Sequence, residues 1–326
     1  MGISLGVNQY GKAETRVVRI YRDTARHEIV DLNVSTSLRG DFTAAHVHGD
    51  QASVLPTDTQ KNTAFAYAKE HGVSSPEDYA IALGTHFLDA SPKTDTAQIR
   101  IEQYAWDRIP VGPDGHDHAF TRRGRATRTA VVTVTGRGAD QTVRVISGLR
   151  DLVLLKSTGS EFKGYLKDRY TTLPETDDRI LATSLIAWWR YDSAAGADNP
   201  ALADRPGGAG GGAGADWSSQ VDWNKLHETV SATLIEAFAT HYSQALQETL
   251  YVMGRRVLET CEPVAEIRFS APNKHHFLVD LSPFGVENNG EVFHAADRPY
   301  GLIEASVVRD GASHAGDAWL AGPSFA

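Results

Sequence analysis

The stretch APNKHHFLVDL, residues 271–281, crowds an amide (Asn273), an ammonium (Lys274) and two imidazoles (His275 and His276) into four positions. They fall where a loop opened by Pro272 is expected to turn into an alternating strand. Such groups can hold water, bind anions or move protons near neutral pH. Together with "HVH" (46–48) and "HDH" (116–118), the histidine pair also offers a metalloenzyme reading, because alternate residues of one strand share a face. None of the three has the spacing of a zinc or iron motif, and HDH follows the turn sequence GPDG. Cys261, the one cysteine, cannot form an intramolecular disulfide or a thiolate metal site by itself and is expected to be a buried, inert thiol.

Positioning these groups requires a folded frame, and the 326 residues are enough for a substantial core and two domains of usual size. The formal charge of −9 argues against non-specific nucleic-acid binding. No stretch reaches membrane-spanning length, and Met1–Gln9 lacks the features of a signal peptide, so neither nucleic acid nor membrane is expected as a partner. Periodicity predicts strands at Thr15–Tyr21 and Glu28–Leu38, helices at Asp58–Glu70 and Pro76–Leu88 with Ser74 or Ser75 as cap, and strands at Gln98–Arg108 and Arg128–Thr135. The order then repeats. Strands at Thr142–Lys156 and Ile180–Tyr191 precede helices at Trp223–Thr240 and Ser243–Thr260 and strands at Ala265–Ala271, Phe277–Leu281 and Ile303–Arg309. This pattern predicts tandem domains of one α+β architecture, 1–140 and 141–310, followed by a tail at 311–326. A Gly/Ala-rich stretch at about 193–217 reads as a flexible insertion without a function of its own.

Four motifs in order, NQYGKAE (8–14), TDTQKNT (57–63), STGSEFKGYLKDRYTTLPETDDRI (157–180) and PNKHHF (272–277), strongly resemble those of urate oxidase, the cofactor-free uricase family. DLNVSTSLRGDF (31–42) and ADRPYGLIEA (296–305) extend the resemblance, which runs from Asn8 to Arg309 and weakens through Ala90–Glu102, the Gly-rich insertion and the tail after Asp310. It implies two tandem tunnelling-fold (T-fold) domains, antiparallel sheets with paired helices on one face, closing into a barrel in a homotetramer. It also implies oxidation of urate by O2 and water to 5-hydroxyisourate and H2O2, with no metal, flavin or other cofactor. The chain ends GPSFA, without the peroxisomal tripeptide of eukaryotic relatives, so a cytoplasmic location is expected.

The resemblance also implies roles. Lys12 and Thr57 match a proton-handling pair that His275 completes, the lysine acting as base and the hydroxyl as relay. Taken alone, Thr57 also reads as the cap of the helix starting at Asp58. Arg179 and Gln247 match the residues that grip opposite edges of the purine, the first with a planar two-point fork and the second with an amide that both donates and accepts. Ser243 is the expected cap of Gln247's helix. Phe162 matches the aromatic stacked on the ring, and Asn273, with Thr57, the site for dioxygen or water. Asp58, Leu173 and Leu246, the last where the family often has valine, match peripheral contacts. The family's site lies between subunits, with Lys12 and Thr57 from one chain and Phe162, Arg179, Gln247, Asn273 and His275 from the other. His276 is expected on the opposite strand face, without a catalytic role. A purine-binding or pterin-handling protein of the same fold is the alternative, distinguished by the Lys12–Thr57–His275 set that mere binding would not need.

Overall fold

The computed structural model describes residues 2–122, 124, 126–191, 221–316 and 319; the Gly/Ala-rich stretch and most of the tail lie outside them. The described residues fall within two compact units. One draws on Met1–Gly148, Arg190–Lys225 and Ser313–Ser324, the other on Leu149–Trp189, Leu226–Ala312 and Phe325–Ala326. Among the described residues no helix is long and apolar enough to cross a membrane.

In the first unit, β1 (Thr15–Tyr21) pairs antiparallel with β2 (Glu28–Gly40), β2 with β3 (Thr94–Tyr104), and β3 with β6 (Thr127–Thr135). The expected strand Gln98–Arg108 is thus two elements: β3 ends at Tyr104, and Asp107–Arg108 forms β4, paired with β5 (Phe120–Thr121) in a separate ribbon. One sheet face carries Val17, Leu32, Val34, Leu38, Ile99, Ile101, Val132 and Val134 into a core closed by α2 (Thr57–Glu70) and α3 (Pro76–Ala90). A short helix, α1 (Thr43–His48), precedes them. Helix α3 starts as its sequence dictates: Ser75 Oγ accepts the Asp78 amide at 3.0 Å, Pro76 supplies the pre-set first φ, and Glu77 and Asp78 complement the helix dipole.

The second unit contains β8 (Leu181–Tyr191), apart from its last two residues, and the C-terminal part of β7 (Thr142–Lys156). It also holds most of α4 (Trp223–Thr240), with α5 (Leu246–Thr260), β9 (Val264–Leu278) and β10 (Phe293–Val308). β9 and β10 pair antiparallel, with a register shift between Ala296 and Gly301. β9 is continuous through Pro272 to Leu278, so Asn273–His276 lie inside a strand, not at a loop-to-strand junction. Cys261 is a free, buried thiol, pushed up in pKa by that burial.

The two units share two packing devices. A Cβ on Gly84 of α3 would lie 2.7 Å from Val134 Cγ2, and one on Gly254 of α5 would lie 2.5 Å from Val307 Cγ2, so each glycine lets its helix settle onto its sheet. Beyond each helix an arginine gathers carbonyls. Arg137 donates to Leu88 and Ser91 at 2.9 and 2.8 Å and to Thr94, and Arg309 donates to Leu258, Cys261 and Val264. Cations at these C-terminal carbonyls satisfy otherwise orphaned acceptors.

Candidate active site

The first unit assembles Lys12, Thr57 and Asp58. Residues ahead of β1 pair with the far half of β2: Tyr10 N donates to Leu38 O at 3.1 Å, Leu38 N to Tyr10 O at 2.7 Å, and Thr36 N to Lys12 O at 2.8 Å. Lys12 N donates in turn to Thr36 Oγ1 at 3.0 Å. The approach is so close that a Cβ on Gly11 would stand 1.8 Å from the Thr36 carbonyl oxygen. Glu14, at φ 56°, makes the kink between this segment and β1, and its amide donates to Ser35 Oγ at 3.0 Å. Gly11→Ala is therefore expected to lift the segment from β2 at a cost of about 1–3 kcal/mol. Thermal unfolding and hydrogen exchange at the Tyr10 and Leu38 amides check this; unaltered protection would show that the chain accommodates the methyl.

Thr57 is the first residue of α2 rather than its cap. Pro56 occupies the cap position and the helix start receives no side-chain hydrogen bond. The Thr57 hydroxyl is thus not committed to capping. Asp58 pairs with Lys61 and accepts from Asn62 Nδ2 at 3.0 Å. The Lys61 ammonium, by hydrogen bond and charge, holds the Asp58 carboxyl below its ordinary range, and Lys12 pulls the same way. Lys12 and Asp58 are therefore electrostatic neighbours at the mouth of α2.

In the second unit, main-chain bridges hold the segments that carry Phe162 and Arg179 and join them to the residues leading into α5. Phe162 and Thr176 exchange hydrogen bonds at 2.9 and 3.1 Å, Arg179 N donates to Ser160 O at 2.8 Å, and Glu161 N donates to Ser243 O at 2.8 Å. Ser243 is not a cap. It is fully buried, its Oγ accepts from Thr249 Oγ1 at 2.8 Å, and Ala245 occupies the cap position of α5. Leu246 is buried in the core, and Gln247 is exposed in the first turn, where free N–H groups favour an anion. Glu248 Oε2, accepting the Gln244 amide at 3.0 Å and lying 3.2 Å from His241 Nε2, secures that turn.

Arg179 does not pair with its acidic neighbours. Asp177 binds Lys163, while Asp178 accepts from Thr158 Oγ1 and the Gly159 amide. The half-buried guanidinium lies 5.1 Å from the Phe162 ring centroid, and its buried Nε has no partner among the described residues. Phe162 stacks on Tyr165 at 4.9 Å and 16°, and Tyr165 is tied through its hydroxyl to the carbonyl of exposed Leu173. Tyr165 was not among the expected site residues; the signal for it is a second aromatic three positions after Phe162. Burial first, then the charge of Arg179 and of His276, lowers the His275 pKa. Asn273, His275 and Phe277 share one face of β9 by alternation, Asn273 opposite Gly301 and His275 opposite Ala296, while His276 turns to the other face and its Nδ1 lies 3.1 Å from the Lys274 carbonyl.

The histidine-rich alternatives do not converge. HVH lies in α1, and HDH lies in the loop before β5, with the His116 and His118 rings 4.5 Å apart. Among the described residues no group of three or more His, Cys, Asp or Glu side chains is arranged to hold a metal ion.

The same architecture recurs in known proteins. A family model described as Uricase matches residues 8–133 and 145–304. The chain is 47% identical over 309 residues to the uricase of Arthrobacter globiformis, covering 95% of this chain and 91% of that one. It is 32% identical over 305 residues to the uricase of Dictyostelium discoideum, covering 93% and 96%. The crystal structure of the Arthrobacter globiformis uricase matches with a TM-score of 0.85 at 46% identity, covering 98% of this chain and 100% of that one. That of a uricase from Bacillus fastidious matches with a TM-score of 0.74 at 26% identity, covering 92% and 93%. The antiparallel α+β architecture is the T-fold of these neighbours. Sharing both motifs and fold along nearly its whole length, the chain belongs to the uricase family.

Proposed function

We propose that the protein oxidises urate with O2 and water to 5-hydroxyisourate and H2O2, the substrate itself supplying the electrons. The observation that carries this reading is the half-buried Arg179, whose Nε has no partner among the described residues, set on one frame with the face of Phe162 and the first turn of α5. A planar anion stacked on Phe162 would offer Arg179 the acceptors it lacks, while the Gln247 amide would read the donor and acceptor pattern of the opposite edge. Asp58 and Leu173 would line its periphery, and Leu246, its side chain buried in the core, would contribute through its main chain. Dioxygen is a triplet, and a closed-shell purine gives up an electron readily only as an electron-rich anion. Lys12 would remove the further proton through Thr57, His275 would return protons as the reduced oxygen leaves, and Asn273, with Thr57, would hold dioxygen or water over the ring. The lowered pKa of His275 fits this role, because an imidazolium whose charge is disfavoured by burial and by Arg179 gives up its proton more readily. Lys12 and Thr57 would come from one subunit and the Arg179 half from another, within a homotetramer whose joined sheets form a barrel.

The test is direct. Purified protein dialysed against chelator is given urate in air, and urate absorbance and peroxide are followed together. One peroxide per urate consumed is expected, undiminished by chelation. Activity that appears only after iron, copper or zinc is added would overturn the metal-free reading, and no turnover under any of these conditions would overturn the function.

A further inference from the structure

Gln60 is completely buried one helical turn after Thr57, at the head of the inward stripe Gln60, Ala64 and Ala68 of α2. A buried amide costs stability unless its polar atoms are paired, and here both ends are. Nε2 donates to Leu55 O at 3.2 Å, in the turn leading into Thr57, and Oε1 accepts from Thr36 Oγ1 at 2.6 Å. The Leu55 carbonyl can only accept, so the amide orientation is determined and Thr36 must be the donor at the other end. The nearer acceptor claims the single Thr36 hydroxyl proton, since Lys12 O is 3.4 Å away, which leaves the Thr36 oxygen lone pairs to receive Lys12 N at 3.0 Å. One buried side chain thereby ties the segment carrying Lys12 to the turn carrying Thr57.

We propose that Gln60 is a positioning residue for the proton-transfer pair, setting the Lys12 main chain against Thr57 through the relay Leu55–Gln60–Thr36–Lys12. This rests on the reading of Lys12 and Thr57 given under Proposed function. In the proposed reaction Gln60 touches neither substrate nor the reacting atoms. Its loss should therefore slow the proton-transfer step and leave the Arg179 half of the site intact.

Gln60→Leu is expected to lower kcat roughly 10- to 100-fold, the scale of an ångström-sized misplacement, with KM changed less than about threefold. Affinity for a non-reactive purine analogue should be unchanged. The double variant Thr36→Val/Gln60→Leu, which removes the Thr36 hydroxyl that the single variant leaves without its acceptor but also the acceptor of Lys12 N, should not recover kcat. Should Gln60→Leu fail to fold, Thr36→Ser, which keeps the hydroxyl, is expected to retain kcat where Thr36→Val loses it. The proposal is overturned if Gln60→Leu keeps kcat within about twofold, if the double variant regains kcat, or if the serine and valine variants behave alike. Lys12→Met separates the positioning role of Gln60 from the proton-transfer role of Lys12. An inactive Lys12→Met beside a normal Gln60→Leu sinks the positioning role alone, whereas a fully active Lys12→Met sinks the proton-transfer reading and this proposal with it.

Discussion

Arg179→Lys should weaken binding of a non-reactive purine anion by about 1.5–3 kcal/mol, roughly 10- to 150-fold, even though the charge is kept. The native guanidinium is half-buried, held by its main chain to Ser160 and set beside the Phe162 ring, with no partner for Nε among the described residues. A flat fork in that position can make two parallel bonds to a urate edge; an ammonium on a flexible stem can make one and must give up more hydration to do so. Calorimetry with the analogue reads this without relying on turnover, and unchanged affinity would remove Arg179 from the site. The Arg179 charge also acts on His275. Since the Arg179 charge helps to depress the His275 pKa, Arg179→Ala is expected to raise it, although burial, the larger cause, remains. The imidazole would then charge at higher pH, and the acid limb of any His275-dependent rate should move upward. An NMR titration of His275 that shows no upward shift would contradict the electrostatic contact.

Strong period was enough for much of the frame. The alternation in Thr15–Tyr21 and the apolar spacing in Trp223–Thr240 give elements with the expected bounds. What stayed hidden depends on contacts distant in the chain. Pro272 reads as a loop signal, yet it sits inside β9 opposite Leu302, just beyond the register shift between Ala296 and Gly301 of β10, a tolerance that only the partner strand reveals. The six residues of α1 are too few to show helical period. Ser243 reads as a helix cap but is spent on Thr249 in the interior, and Pro56 rather than Thr57 takes the cap position of α2. In the candidate site, ordered motifs singled out side chains, but not what holds them. The pairing of Tyr10 and Lys12 with β2 depends on a left-handed Glu14, a conformation its side chain does not announce. The bridges of Ser160 to Arg179 and of Glu161 to Ser243 likewise join residues far apart in the chain. A lone polar residue in the inward stripe of α2 was the available signal for Gln60.

In the proposed urate-oxidising site the Lys12 half and the Arg179 half come from different chains, and coexpression of two inactive variants tests that division. Lys12→Met lacks the proposed base and Arg179→Ala lacks the anion grip, so each homo-oligomer should be inactive. In a symmetric mixed pair, one site collects both defects and the other collects neither. Random association makes half the pairs mixed with half their sites intact, so urate consumption should recover to roughly a quarter of wild type. Mixing the two proteins after assembly should recover less if the proposed interface is large and obligate, since subunits exchange slowly across such interfaces. Urate consumption near that quarter, in chains shown by affinity tagging to have coassembled, is the predicted result; coassembled chains that remain inactive would contradict the shared site.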